Sequence, residues 1–263
     1  MEKGIKLLAF FFATLSLFSC EKVIQIDFKD SDARIVIEGE LTDDPTQPQT
    51  ITISKSTNFQ TTNDQLFVSG AVVIITDDQG NSVQLAETSP GKYQTNNLPG
   101  ISGRTYNLSV TYDGKEYTSS CKMPQQTPLD SLSVLEIPGF GPLPPSIGIV
   151  PNFKDTEGIR NYYRVKMFIN GEFAESFMYD DEYGDGIYNE QPLQSFDKEI
   201  KSLDTVIIQM MNIDKNVYTY FNNLTGDGFD NSATPANPKS NISGGALGYF
   251  SAYANQVRSI VVP

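Results

Sequence analysis

The sequence predicts a mainly β protein, in which an N-terminal β-sandwich is followed by a second β-rich domain. Three features of the 263-residue chain lead to this prediction. Its 20 Gly, 15 Pro, 13 Tyr and 16 Phe favour turns and strands over helices. Short runs of β-branched and aromatic residues recur between clusters of turn residues. Two of these turns, Asp113-Gly114 and Asn170-Gly171, are of the two-residue type that joins the strands of a hairpin.

The composition excludes several classes of function. The chain has 32 Asp+Glu against 19 Lys+Arg and a formal net charge of −13, so we expect no nucleic-acid partner, because phosphate binding needs a basic surface. It has no His, which excludes Ser–His and Cys–His nucleophile pairs and imidazole metal ligands. It also lacks a Gly-x-Ser-x-Gly nucleophile elbow and a P-loop lysine. We therefore expect no enzymatic activity.

The first 19 residues have the pattern of a lipoprotein signal peptide. Lys3 and Lys6 precede an apolar run over residues 7–18, which is shorter than the about 20 residues that a membrane-spanning helix needs. The sequence Leu17-Phe-Ser-Cys20 resembles a bacterial lipobox. We therefore expect lipid chains such as palmitate on the sulfur of Cys20, with residues 20–32 as a tether. The alternative is an unmodified cysteine after a cleaved or uncleaved signal.

Residues 33–125 are predicted to form the sandwich. Strand Thr105–Tyr112 alternates apolar and polar residues, which is typical of a half-buried strand, and Asp113-Gly114 turns the chain into the next strand. About seven strands in about 90 residues are typical of two packed sheets. Alternation also places Cys121 on an apolar face, as a buried and unreactive thiol. The predicted strands are Ala33–Leu41, Gln49–Thr57, Ala71–Thr76, Ser82–Glu87, Lys92–Thr95, Thr105–Tyr112 and Lys115–Met123.

Residues 126–263 are predicted to form the second β-rich domain. Six prolines between residues 124 and 145 place the boundary near Gln125, because proline cannot donate to a sheet ladder. A helix is predicted over Lys215–Leu224, with Asp214 as its N-cap and apolar residues at helical spacing. The predicted strands are Ser131–Ile137, Ile147–Phe153, Tyr163–Ile169, Phe173–Tyr179, Val206–Met211, Gly245–Tyr253 and Val257–Val262.

Two resemblances add to these patterns. The segment from Pro90 to Tyr117 resembles the small immunoglobulin-like modules of carboxypeptidase regulatory domains. Almost the whole chain after the signal resembles the Bacteroidota lipoprotein family called domain of unknown function 4249. The matching segments are Cys20–Asp27, Ile35–Gly39, Asn161–Arg164, Asn212–Lys215 with Tyr218, Tyr220 and Phe221, and Asn237–Tyr253.

The family resemblance implies an outer-membrane lipoprotein, encoded beside a SusC-like TonB-dependent barrel and without an established enzymatic activity. We therefore expect an accessory or ligand-capturing partner of such a transporter. One alternative is a structural or assembly scaffold of an envelope complex. A carboxylate-dependent hydrolase is the least favoured alternative, and the face of the membrane on which the protein lies stays open.

An acidic loop over residues 180–190 is the candidate site for a cation. Ca²⁺ takes six to eight oxygen ligands, and glycines allow the tight turns between them. The order of residues does not match an EF-hand, and the alternative is a solvated hairpin tip. Tyrosines of the same segment are candidates for stacking on a sugar or peptide, with ordinary packing as the alternative. The candidate ligands are Asp180, Asp181, Glu182, Asp185 and Glu190, and the candidate stacking residues are Tyr179, Tyr183 and Tyr188.

Overall fold

A computed structural model describes residues 33–57, 66–142, 144–181, 184–195, 197–225 and 238–263. The predicted signal peptide, Cys20 and the tether lie outside these ranges. Residues 33–263 form one compact unit. No helix within the described ranges combines the length and the apolar character that crossing a membrane requires.

The described residues are mainly β, as the sequence predicts. They contain fifteen strands and one helix, α1 (Lys215–Thr225). The strands are β1 (Ile35–Thr42), β2 (Gln49–Lys55), β3 (Leu66–Phe67), β4 (Val72–Asp77), β5 (Ser82–Gln84), β6 (Ala86–Ser89), β7 (Lys92–Thr95), β8 (Thr105–Tyr112), β9 (Lys115–Lys122), β10 (Leu129–Ile137), β11 (Ser146–Phe153), β12 (Tyr162–Ile169), β13 (Glu172–Asp180), β14 (Thr205–Asn212) and β15 (Leu247–Val261).

Three sheets organise these strands. The largest has the order β13-β12-β14-β15-β1-β2-β7-β6, with β3 paired to β2. A four-stranded sheet has the order β5-β4-β8-β9, and β10 and β11 form a two-stranded ribbon. The central pair β1–β15 is parallel. Gly248 makes this pair possible, because its φ is +95° and a Cβ atom there would lie 2.0 Å from the carbonyl oxygen of Ile37.

The first core lies in a sandwich between the nine-stranded and the four-stranded sheet. Alternate residues of β1 are buried, as expected for a strand with one face on a core. Cys121 belongs to this core, which confirms its predicted burial, and burial raises the pKa of its thiol. The large side chains of this core include Ile37, Ile51, Tyr93, Tyr106, Leu108 and Phe250.

The second core lies between the ribbon and the strands β12, β14 and β15. Leu129 and Phe153 of the ribbon share a buried cluster with Val165. Strand β15 serves both cores, since Phe250 belongs to the first and Ile260 packs against the second. Even-numbered residues of one strand share a face, so both cores lie on the same side of the nine-stranded sheet.

The predicted boundary near Gln125 falls between β9 and β10. The chain passes there from the first core to the second. However, β15 comes from the C-terminal half and pairs with β1 of the N-terminal half. The two halves therefore contribute two cores to one continuous nine-stranded sheet.

Two predicted strand assignments were wrong. Gly245–Tyr253 and Val257–Val262 belong to the single strand β15, because the polar residues between them keep pairing with β14. Asn255 accepts a hydrogen bond from Gln209 at 3.0 Å, so its polar side chain is satisfied within the sheet. Conversely, Ser82–Glu87 is split between β5 and β6, which lie in different sheets, and buried Leu85 lies where the chain crosses between them.

The helix forms as predicted. Asp214 caps it, since its Oδ1 accepts a hydrogen bond from the backbone N–H of Val217 at 2.8 Å. Val217 and Phe221 are buried, and the ring of Phe221 lies 4.7 Å from that of Tyr249 on β15. Tyr249 neighbours Phe250 in sequence and points to the opposite face, so α1 packs on that face of the sheet, and Val217, Phe221 and Tyr249 extend the buried cluster of the first core around it.

Candidate cation-binding cleft

A cleft of about 380 Å³ lies at one end of the second core. One wall comes from the segment that follows β11, and the other comes from the end of β13 and the segment that follows it. The cleft combines aromatic and acidic side chains. Its lining includes Phe153, Asp155, Tyr163, Tyr179, Asp181 and Tyr188.

Three aspartates converge beside this cleft, and two of them, Asp155 and Asp181, line it. One carboxylate oxygen from each of Asp155, Asp181 and Asp185 lies within 4.8 Å of the other two. Two ligands of the same Ca²⁺ ion lie up to about 5 Å apart, because each bond is about 2.3–2.6 Å long. The separation of the carboxylates is therefore compatible with a shared cation.

Asp155 was not predicted from the sequence, because nothing near it resembles an acidic loop. Its Oδ1 accepts a hydrogen bond from the hydroxyl of Tyr163, and its Oδ2 accepts one from the backbone N–H of Gly186 at 3.2 Å. Burial, and then the hydrogen bond to Asp155, raise the pKa of Tyr163 above its ordinary value. Tyr163 is therefore a neutral donor that orients the carboxylate of Asp155.

Asp185 connects the two segments that form the cleft. Its carboxylate oxygens accept hydrogen bonds from the backbone N–H of Gly158, at 2.8 and 3.2 Å. The backbone N–H of Asp155 also donates to the carbonyl of Ile187 at 3.0 Å. The two segments therefore already have a defined register in which the three carboxylates meet.

Asp181 is incompletely hydrogen-bonded. Its side chain is 3% exposed, and its Oδ2 accepts a hydrogen bond from the backbone N–H of Asn161 at 2.8 Å. Its buried Oδ1 has no hydrogen-bond partner among the described residues. Arg160 Nε lies 3.2 Å from this oxygen as an ion-pair partner, on a side chain that is 49% exposed. Most buried polar atoms have a hydrogen-bond partner, so this oxygen requires an explanation.

Two of the other predicted ligands, Asp180 and Glu190, are described and do not belong to the group of three. Asp180 lines the cleft and forms an ion pair with Arg160 at 3.3 Å. Glu190 lines the cleft without joining the group of three. Glu182 lies outside the described residues.

Two of the three predicted stacking tyrosines line the cleft. Burial raises the pKa of Tyr179. Tyr188 is 46% exposed and donates a hydrogen bond to Asp130 at 2.8 Å, and this bond, followed by partial burial, raises the pKa of Tyr188. Tyr183 lies outside the described residues. The structure thus places two neutral aromatic side chains at the acidic cleft, and their stacking role stays a prediction.

The comparisons with known proteins agree with the predicted resemblance. A model of the family described as Domain of unknown function (DUF4249) matches residues 21–259. This match covers most of the chain, so the protein belongs to that family. No curated protein matches the chain.

Proposed function

From this family membership and from the cleft, we propose that the protein is a non-enzymatic, lipid-anchored outer-membrane lipoprotein that captures a ligand for a SusC-like TonB-dependent transporter. The cleft is the observation that carries the proposal. It is concave and partly apolar and has a few convergent polar groups, which is the usual form of a small-molecule site.

The N-terminal sequence supports the proposed location. A basic start, a short apolar run and Cys20 follow one another as in bacterial lipoproteins. The resemblance to Bacteroidota outer-membrane lipoproteins supports the same location and the transporter as the partner. A lipid anchor on Cys20 would keep the cleft close to the membrane in which such a barrel lies.

The side chains of the cleft favour one class of ligand. The rings of Tyr179 and Tyr188 offer faces for stacking, and the carboxylates of Asp155 and Asp181 accept hydrogen bonds. A sugar or a peptide with free hydroxyl or amino groups meets both requirements. An anionic ligand is disfavoured, because the cleft is acidic and the chain carries a net charge of −13.

The proposal is tested by purifying the tagged protein from outer membranes in mild detergent and identifying the chains that copurify. We expect a TonB-dependent barrel in stoichiometric amount. The ligand that this barrel imports should then raise the melting temperature of the isolated lipoprotein by preferential binding to the folded state. Tyr188→Ala should reduce this shift. Phe173→Ala, which removes a similarly exposed aromatic side chain outside the cleft, should not.

Recovery of the lipoprotein alone would contradict the transporter partnership. Recovery with assembly or secretion machinery would instead support the scaffold, the second candidate function. One observation favours that candidate: the outer part of the β10–β11 ribbon exposes Leu135, and the loop that follows β10 presents Phe140, which is 85% exposed. Exposed apolar side chains can contribute to a contact surface for another protein.

A further inference from the structure

We propose that Asp155, Asp181 and Asp185 bind Ca²⁺, which ties the segment after β11 to the segment after β13 and sets the shape of the cleft. This inference deepens the proposed function, and it rests on that function only for the claim that the shaped cleft meets a ligand. The site differs from the one predicted from the sequence, because Asp155 joins Asp181 and Asp185, whereas Asp180 and Glu190 do not belong to the group of three.

The first argument is the convergence of like charges. Three carboxylates with oxygens within 4.8 Å of one another repel, and two of the three residues are buried, where water screens the repulsion least. Among the described residues, Asp181 forms an ion pair with Arg160, which also pairs with Asp180. One guanidinium carries a single positive charge, so it leaves the group of three with net negative charge. A divalent cation would neutralise the remainder.

The second argument is the unsatisfied oxygen of Asp181. A buried carboxylate oxygen without a donor is unfavourable unless another group replaces its lost hydration. The Oδ1 of Asp181 has no hydrogen-bond partner among the described residues, its side chain is 3% exposed, and Arg160, whose Nε lies 3.2 Å away as an ion-pair partner, is shared with Asp180 and is itself 49% exposed. The clustering of charges does not by itself leave an oxygen without a hydrogen bond. Asp155 and Asp185 belong to the same cluster, and both accept hydrogen bonds. A bound cation accounts for both observations at once.

The donor set favours Ca²⁺ over other metals. All three side chains offer oxygen, which suits hard cations, and the chain has no His to offer a transition metal. A carboxylate oxygen that already accepts one hydrogen bond keeps a second lone pair for a metal. Ca²⁺ accepts irregular geometry and water among its six to eight ligands, whereas Mg²⁺ requires a nearly ideal octahedron with shorter bonds.

The cation would act on the cleft through its two walls. Asp155 belongs to one segment, and Asp181 and Asp185 belong to the other. Hydrogen bonds already join the segments, among them that from Gly158 to Asp185 and that from Asp155 to the carbonyl of Ile187, and the cation would add a link between the carboxylates themselves. Tyr188 follows Ile187 directly in the chain, so a cation that holds these segments together also positions its ring.

Terbium luminescence tests the site. Tb³⁺ is a hard cation that also takes oxygen ligands, and the chain has no Trp, so tyrosine is the sensitiser. The hydroxyl of Tyr163 contacts Asp155, which places a sensitiser beside the site. We expect Tb³⁺ added to the purified chain in detergent to emit on tyrosine excitation, and Ca²⁺ to displace it more readily than Mg²⁺.

Matched variants locate the signal. Asp181→Asn and Asp155→Asn should each weaken Tb³⁺ binding by about 10-fold or more, a typical effect of removing a group that supports a metal. Asp180→Asn should change binding by less than about 3-fold, because Asp180 lies outside the group of three. Asp185→Asn, at an exposed position, supplies the test should a buried variant fail to fold. The absence of emission, or an equal effect of Asp180→Asn, would overturn the proposal.

The result of the terbium experiment does not depend on the result of the copurification test for a transporter. Terbium binding at these aspartates without recovery of a barrel would disprove the transporter partnership and leave the cation site in place. Recovery of a barrel together with a chain that does not bind Tb³⁺ would support the transporter partnership and disprove the cation site.

Discussion

Two acidic turns of this protein have similar sequences and very different hydrogen bonding. Asp77-Asp-Gln-Gly-Asn81 follows β4 in the first half, and Asp181-Glu-Tyr-Gly-Asp185 follows β13 in the second. Each begins with a buried aspartate. Asp77 accepts four hydrogen bonds, from the backbone N–H groups of Gln79 and Asn81 and from the side chains of Asn81 and Arg104, at 2.6 to 3.0 Å. Asp181 has a hydrogen bond to only one of its two oxygens among the described residues.

The difference separates a structural carboxylate from one that is available to a ligand. The hydrogen bonds from Asn81, the backbone and Arg104 lower the pKa of Asp77, so the folded turn favours its charged form. Its oxygens are saturated, and the turn has no need of a cation. Both turns therefore begin with a buried aspartate, and the Oδ1 of Asp181, which accepts no hydrogen bond among the described residues, distinguishes them.

The largest expected effect is on stability. Asp77→Asn replaces an acceptor by a donor that faces Asn81 and Arg104, so we expect the melting temperature to fall by about 5 °C or more, whether or not Ca²⁺ is present. In a chelator, Asp181→Asn should change the melting temperature by less than about 2 °C, because it removes a repelled charge and keeps an acceptor for Asn161. Differential scanning calorimetry measures both variants. Equal losses in the chelator would show that the two turns are alike.

Substitution of one buried tyrosine in each half of the chain extends the comparison, and we expect a smaller loss of stability than for Asp77→Asn. The hydroxyl of Tyr106 accepts a hydrogen bond from the N–H of Ile101 at 2.7 Å and donates to the carbonyl of Pro99 at 3.0 Å. Tyr106→Phe leaves both groups without a partner, so the free energy of unfolding should fall by about 1–2 kcal/mol in urea titrations, with unchanged Tb³⁺ binding. Tyr163→Phe should weaken Tb³⁺ binding, because it frees the carboxylate of Asp155 to rotate, and titration calorimetry measures this effect because the variant also loses the tyrosine sensitiser. A change in Tb³⁺ binding on Tyr106→Phe would contradict this division of roles.

The smallest expected effect is a pH dependence. The pKa of Asp77 is lower in the folded chain than its ordinary value of 3.8, so its stabilisation is complete above that value and is lost as the pH falls through the folded pKa. The difference in melting temperature between the wild type and Asp77→Asn should therefore stay constant at higher pH and shrink as the pH falls below 3.8 toward the folded pKa. A constant difference over this range would mean that the charge of Asp77 does not contribute.

The local elements of the fold were largely predictable. The predicted bounds of β7 and β8 are those of the structure, and α1 extends only to Thr225, one residue beyond its predicted end. The Asp-Gly and Asn-Gly turns have positive φ at both residues, as two-residue hairpins of this type require. The continuity of β15 was not predictable, because its polar centre looks like a turn until Gln209 and the strand β14 are placed beside it.

The candidate site was predictable only in part. Asp181 and Asp185 lie in one acidic run and attract notice as a pair. Asp155 lies on the other side of the hairpin β12–β13, and its neighbours give no sign of a site. It meets the other two only because Tyr163 and Gly186 orient its carboxylate in the folded chain.

The sequence by itself determined most of the described strands, the hairpin turns and the helix α1, because alternation, helix capping and the conformational freedom of glycine act between residues that are close in the chain. It also determined the acidic character of the segment after β13. Only the tertiary structure decided that both halves share one sheet through β15, and that Asp155 joins Asp181 and Asp185. Those two results depend on pairing and hydrogen bonds between distant residues, and these partners come together only when the chain folds.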